Sequence, residues 1–212
     1  MLVLKIDPGQ PDGRAVAEAG EILRGGGVVA FPTETFYALG ADARLEAAVE
    51  RVFRIKGRDF RSPIALIVAH ERDLPALVKS IPPAGRILME TFWPGPLTLV
   101  LHASPLVLPK LTAGTGKIGV RVSSHPVARL LAGFLTGPLT ATSANLSGSP
   151  ECTSAEAVID ALGEKIDAVV DGGPTPGGLG STLIDVTSWP PMILRRGAAP
   201  VDRIHDLLGL GK

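Results

Sequence analysis

Residues 25–40 read GGGVVAFPTETFYALG. Gly25, Gly26 and Gly27 break the helical pattern that precedes them. Val28, Val29, Ala30 and Phe31 then form a short continuous apolar run, which suits a strand buried on both faces. Pro32 has no N–H to give, so ladder pairing is expected to end there. Thr33, Glu34 and Thr35 follow, three polar side chains at the mouth of a buried strand, where open α/β sheets place ligands. The same residues also suit a helix cap, with a threonine hydroxyl accepting from free N–H groups. The stretch alone leaves both readings open.

On either side the periodicity alternates between strand and helix. Residues 2–6 alternate apolar side chains as a short strand, and 7–13 carry the turn signals Pro8-Gly9 and Pro11-Asp12-Gly13. Residues 15–24 have helical spacing with Val16, Ala19, Ile22 and Leu23 on one face. A second amphipathic helix is predicted over 45–56, ended by Gly57. Strands are predicted at 63–68, 97–101, 118–122, 139–142, 168–170, 181–186 and 192–194. Helices are predicted at 71–78, 83–92, 126–134, 154–162, with Ser154 as its cap, and 201–208. The connections from 97–101 to 118–122 and from 181–186 to 192–194 are short for parallel crossovers, so part of the sheet should be antiparallel. No repeat, low-complexity segment or linker-like shift in composition divides the chain. One α/β domain over residues 1–212 is expected.

Composition narrows the function classes. The 212 residues are 45% hydrophobic and 20% charged with zero formal net charge, which excludes a disordered chain. Balanced charge argues against bulk electrostatic binding to nucleic acid and leaves room for a local basic patch. Cys152 is the sole cysteine, so an internal disulfide and a multi-cysteine metal site are both excluded. It reads as an incidental loop thiol. The first ten residues carry Lys5 and Asp7 and too short an apolar run for a signal peptide. No apolar stretch approaches the length of a membrane span, so a soluble cytoplasmic protein is the expectation.

Hydroxyl, amide and cationic groups collect at element ends: Lys56, Arg58 and Ser62; Thr115, Lys117 and Arg121; Ser143 and Asn145; Ser181; Arg195 and Arg196. Arginine offers a bidentate contact to phosphate or carboxylate, and lysine a point charge. Each also has a structural explanation. Lys56 and Arg58 complement a helix dipole, and Arg195 and Arg196 suit solvent. Arg121 lies inside a predicted strand, with Val120 and Val122 pointing to the opposite face. No Walker-type loop, dinucleotide fingerprint or zinc-spaced histidine pair is present, and His125 reads as structural. The residues alone give an α/β protein with an anion site and no identified nucleophile.

The ordered set of motifs resembles the YrdC/Sua5 family, the threonylcarbamoyl-AMP synthases of tRNA modification. The stretches are FPTETFYALG (31–40), RVFRIKGR (51–58), FWPGPLTLVL (92–101), GTGKIGVRV (114–122), TSANLSG (142–148), DGG (171–173), STLIDV (181–186) and ILRRGA (193–198). The resemblance implies a twisted mixed parallel and antiparallel sheet, flanked by helices around a concave basic cavity. It implies a nucleotidyltransferase that converts L-threonine, bicarbonate and ATP to threonylcarbamoyl-AMP and pyrophosphate, with Mg2+ on the triphosphate and metal ligands unassigned. The product would pass to other proteins that modify adenosine 37 of tRNA, with at most weak contact to tRNA itself. The chain resembles the short, single-domain form. Carried over residue by residue, Lys56, Arg58 and Lys117 would face the triphosphate, with Arg195 nearer the nucleotide. Ser143 and Asn145 would hold the α-phosphate or ribose, with Ser62 and Thr153 as further partners. Lys56, Arg58, Ser143 and Asn145 would be catalytic, and Thr35, Arg121 and Ser181 would hold threonine. The chain departs from the family pattern at Ala38, Ser62 and Gly180. Two rivals stand beside this reading. One is an RNA-binding module of the same fold, which the 4% aromatic content disfavours. The other is a carbamoyl-transfer relative, whose zinc-binding domains this chain lacks.

Overall fold

The computed structural model describes residues 1–11 and 13–210. Asp12, in the predicted turn at 7–13, lies outside the described residues. The strands are β1 (Leu2–Lys5), β2 (Val29–Pro32), β3 (Tyr37–Gly40), β4 (Ala65–Ile67), β5 (Leu97–His102), β6 (Lys117–Arg121), β7 (Leu139–Ser143), β8 (Ala168–Asp171), β9 (Thr182–Asp185) and β10 (Met192–Arg195). The helices are α1 (Gly13–Arg24), α2 (Glu46–Lys56), α3 (Pro83–Phe92), α4 (Pro109–Thr112), α5 (Pro126–Leu135), α6 (Ala155–Leu162) and α7 (Val201–Leu208). The strands form one mixed sheet in the order β1-β8-β2-β3-β7-β4-β6-β5-β9-β10. The two short connections behave as expected, because β5 pairs β6 and β9 pairs β10, both antiparallel.

Capping chemistry accounts for several ends. Gly57 adopts φ 60°, and its N–H reaches the carbonyls of Arg54 and Phe53, which stops α2 where a residue with a Cβ would be strained. Ser154 accepts from the Ala157 N–H and starts α6. The segment predicted as a helix over 71–78 is a 3-10 turn, Glu71–Ala76, with Pro75 inside it. A proline there removes a donor and disfavours a longer α-helix.

The stretch at 25–40 keeps the strand buried on both faces and the polar residues at its mouth, and departs from expectation around them. Pairing ends at Pro32 as expected, with Pro32 itself inside the ladder. It is the last residue of β2 and stands opposite Tyr37, because β2 turns back directly into β3. A terminal strand position needs no N–H donor, so proline is tolerated. The helix-cap alternative is overturned. Thr33 donates its hydroxyl to the Phe36 carbonyl at 2.7 Å and accepts from the Thr35 N–H at 3.2 Å, closing a hairpin loop.

The two faces of the sheet are covered unequally. On β2, Val28 and Ala30 point to one core, and Val29 and Phe31 to another. The first core runs the length of the sheet beneath α2, α3, α6 and α7. The second gathers α1 and α5 over β1, β8, β2, β3, β7 and the end of β4. From β6, β5 and β9 that second core takes nothing. Along this uncovered half the outward residues at the cavity are Ala65, Gly119, Thr98 and Arg121, small or polar groups that leave room for it, with Leu183 at its side.

Candidate functional site

A cavity of about 210 Å3 opens over that uncovered half. Ala38, Ala65 and Ala141 form part of its wall. Gly119 lies in the floor, where an added Cβ would stand 3.2 Å from the Thr98 methyl and 3.3 Å from Ala65 Cβ. Of the residues singled out from the sequence, Thr35, Arg58, Arg121, Ser143, Ser181 and Arg195 line this cavity. They come from the β2–β3 loop, the end of α2, β6, β7, the start of β9 and β10.

The end of β6 brings Arg121 to the cavity. The side chain is 8% exposed, and its Nη1 donates to Glu34 Oε1 at 2.9 Å, with Glu34 12% exposed. Ser123 donates to the other oxygen of the same carboxylate. Burial lowers the Arg121 pKa, the Glu34 charge opposes that, and the Arg195 charge adds to it. A buried cation held by one carboxylate, beside open space, is a partner for an anionic group.

Hydroxyl groups face the same space with defined polarity. The single Thr33 proton goes to the Phe36 carbonyl, so in the 3.1 Å contact between Thr33 and Thr35 the Thr35 hydroxyl is the donor. Thr35 therefore has only lone pairs left and can accept from a ligand N–H or O–H. On the other side, Thr98 and Ser181 share a 2.9 Å hydroxyl contact, and Arg195 Nη2 donates to Ser181 Oγ at 3.1 Å. That pair keeps one proton free for a ligand acceptor.

Lys56 sits behind Ser143 and does not line the cavity. It is 3% exposed, and its Nζ donates to the Ser143 carbonyl at 2.6 Å, to Asn145 Oδ1 at 2.5 Å and to Ser143 Oγ at 3.3 Å. Three acceptors satisfy the three donors of an ammonium. Burial, and then the Arg58 charge, pull its pKa from 10.5 down to about 8. Lys56 thus joins Ser143 and Asn145 in one cluster, which Ser143 extends with a 2.7 Å bond to Asn145 Oδ1. The dipole-complementing alternative, a solvated lysine at a helix end, does not describe Lys56. Arg58 is half-buried and reaches the Pro63 carbonyl at 2.9 Å and Thr142 Oγ1 at 3.3 Å.

Five of the sequence-predicted residues lie outside the lining: Lys56 and Asn145 in the cluster behind Ser143, and three more farther off. Lys117 is paired to Asp185 at 2.8 Å, linking β6 to β9 farther along the same half of the sheet. Ser62 stands in the turn before β4, its N–H on the Asp59 carbonyl. Thr153 lends its carbonyl to the Thr175 N–H. Sequence reasoning named Thr33 and Glu34 at the strand mouth without giving them a role, and passed over Thr98 and Glu151, the last being the one carboxylate among the described lining residues. A signal for Glu34 was present: a carboxylate at the mouth of a buried strand requires a cationic partner. No group of three or more histidine, cysteine, aspartate or glutamate side chains suited to a metal exists among the described residues. No helix among them is long and apolar enough to cross a membrane.

The Sua5/YciO/YrdC family model, described as "Telomere recombination", matches residues 21–197. The threonylcarbamoyl-AMP synthase of Pyrococcus abyssi is 44% identical over 191 residues, which cover 90% of this chain and 56% of that protein. The chain thus spans little more than half the length of that relative. The crystal structure of P. abyssi Sua5 complexed with L-threonine superposes with a TM-score of 0.95 at 40% identity, over 99% of this chain and 61% of that one. The structure of Escherichia coli YciO superposes with a TM-score of 0.86 at 30% identity, over 96% of this chain and 98% of that one.

Proposed function

The chain belongs to the Sua5/YciO/YrdC family, and from that premise we propose that it is a threonylcarbamoyl-AMP synthase, a nucleotidyltransferase acting in tRNA modification. The observation that carries this reading is Arg121, a buried guanidinium in a small cavity walled by hydroxyl groups of opposite polarity. An α-amino acid matches that arrangement. Its carboxylate pairs with Arg121 and takes the free proton of the Thr98–Ser181 pair. Its amine or hydroxyl donates to Thr35. Arg58 and Arg195 line the same cavity and suit the phosphates of ATP.

The reaction divides into two steps. The threonine nitrogen attacks the carbon of bicarbonate or CO2 and loses a proton, giving a carbamate; water leaves when bicarbonate is the source. A carbamate oxygen then attacks the α-phosphorus of ATP, and the bond from that phosphorus to the bridging oxygen breaks to release pyrophosphate. Catalysis here is positioning and charge neutralisation. Ser143 would accept from a ribose hydroxyl as it stands, or turn its proton from Asn145 Oδ1 to an α-phosphate oxygen. Lys56 and Asn145 would hold Ser143 from behind, with the Lys56 charge directed through it. Ser62 and Thr153 would join the nucleotide only at the outer rim, and Lys117 only by leaving Asp185.

Magnesium would arrive on the triphosphate, since this ion is commonly bound through substrate phosphates and one or two carboxylates. Glu151 is the side chain placed to meet it, and the ion would neutralise phosphate charge. The product would pass to the proteins that complete the modification of adenosine 37, in the cytoplasm, with residues 1–212 acting as one YrdC-like unit. Incubation with ATP, magnesium, bicarbonate and labelled threonine tests the reading. Pyrophosphate release dependent on both threonine and bicarbonate is expected, and adenylation without bicarbonate would refute it.

A further inference from the structure

We infer that Glu34 is a positioning residue for amino-acid binding: it fixes the Arg121 guanidinium so that its free edge presents to the ligand carboxylate. The inference rests on the reading that the cavity takes an amino acid. Glu34 is not among the residues that line the cavity. It stands behind Arg121, and both carboxylate oxygens are engaged. Oε1 accepts from Arg121 Nη1 at 2.9 Å, and Oε2 accepts from Ser123. Ser123 is fully buried, and its Oγ in turn accepts from the His125 N–H at 3.1 Å, immediately before α5 begins. The carboxylate is thereby held from two sides, by the β2–β3 loop that carries it and by the entry to α5.

A guanidinium has five N–H groups in a rigid plane. Nη1 alone has a hydrogen-bond partner among the described residues. Among the described residues, His125 Nδ1 is the sole fully buried side-chain polar atom without one, so Nε and Nη2 of Arg121 are not sealed off. They are the edge that remains for a ligand in the cavity that Arg121 lines. Fixing one edge of a planar fork fixes the direction of the other. Glu34 also supplies the negative charge that keeps Arg121 beside Arg195 in a small space, where the two cations repel.

The test is titration calorimetry of the full chain with L-threonine and, separately, with ATP. Glu34→Gln keeps the side-chain shape and removes the charge. The threonine dissociation constant should rise about 10- to 100-fold, the range for losing a hydrogen bond to a charged group, while ATP binding is unchanged. Adding Glu34→Gln to Arg121→Lys should weaken threonine no further than Arg121→Lys alone, because the two act through one contact. Wild-type affinity for threonine in Glu34→Gln, additive losses in the double variant, or parallel losses for both ligands would overturn the inference. If Glu34→Gln does not fold, Ser123→Ala removes one of the two restraints on the carboxylate. A smaller loss confined to threonine is then expected, and no loss overturns the inference. Wild-type protein that binds no threonine removes the functional reading itself and this inference with it. An unaltered Glu34→Gln beside a binding wild type removes the inference alone.

Discussion

One face of the sheet behaves as two different surfaces. Over β1, β8, β2, β3 and β7 it is sealed by α1 and α5, with Ala19, Leu23, Leu131 and Phe31 excluded from solvent. Over β4, β6, β5 and β9 the same face carries alanine, glycine, threonine and arginine. On the opposite face an apolar core draws on strands of both halves, from β8, β2 and β3 to β4, β6, β5 and β9. The fold can therefore place a desolvated arginine on a strand without losing its core, because the second face of β5, β6 and β9 is not needed for it. On this face the packed core lies at one end and the candidate site at the other.

Substitutions should separate the two ends. The largest expected effect is on stability at the sealed end. Leu131 is fully buried between α5 and its neighbours, and Leu131→Ala should cost about 2–5 kcal/mol through lost transfer energy and a cavity. Thermal or denaturant unfolding measures this, and turnover per folded molecule should be unchanged. At the open end the pattern reverses. Arg58→Ala should reduce kcat by about 3 kcal/mol of transition-state stabilisation, the loss typical of a preorganised charge partner. Its unfolding midpoint should hardly move, since Arg58 is half-buried and hydrogen-bonded to one carbonyl and one hydroxyl. A variant at either end that alters both properties equally would break the contrast.

Gly119 sharpens it further. The glycine has ordinary strand geometry, and an alanine Cβ would only press on Thr98 and Ala65. Gly119→Val projects two more carbons into the cavity. The specificity constant for threonine should fall by about 1–3 kcal/mol, the range for a misfitted methyl or methylene in a pocket, with Gly119→Ala between it and wild type. Equal activity in all three proteins would show that the ligand does not approach the floor.

The sequence and the structure part company at identifiable points. Continuous apolar runs located β2, β5 and β6, and helical spacing located α1, α2, α3 and α5, because these signals are local. β3 was missed. Tyr37, Ala38, Leu39 and Gly40 are all buried, so no alternation marks them, and Pro32 suggested an end where the chain only turned. Thr35, Arg58, Arg121, Ser143, Ser181 and Arg195, singled out through the motif resemblance, line one cavity. Their depth was beyond it. Whether a lysine at a helix end is solvated or sits on three acceptors depends on Ser143 and Asn145, nearly ninety positions along the chain. Glu34 was noticed at the strand mouth but given no role for the same reason, since its partner Arg121 is remote in sequence.

The smallest expected effect is a pH dependence that sets activity against stability through Lys56. Its folded-state pKa is lowered from 10.5 to about 8, chiefly by burial. Above pH 8 the native protein has released a proton that the unfolded chain still holds. More protons are then bound in the unfolded state, so stability rises with pH in this window. Activity should move the other way, because the charge behind Ser143 is lost as pH passes about 8. Two groups limit the window from above. Burial raises the Cys152 pKa from 9.0 and the Tyr37 pKa from 10.0 to about 12. Each keeps its proton in the fold after the unfolded chain has lost it, so stability falls as pH climbs past those ordinary values. Unfolding free energy should therefore rise between pH 8 and pH 9, level off to about pH 10 while Cys152 offsets Lys56, and decline once Tyr37 adds to Cys152. Lys56→Met is the control. It should abolish the rise and leave the decline, at the expense of most activity. A rise that survives in Lys56→Met would assign it to another group and return Lys56 to an ordinary ammonium.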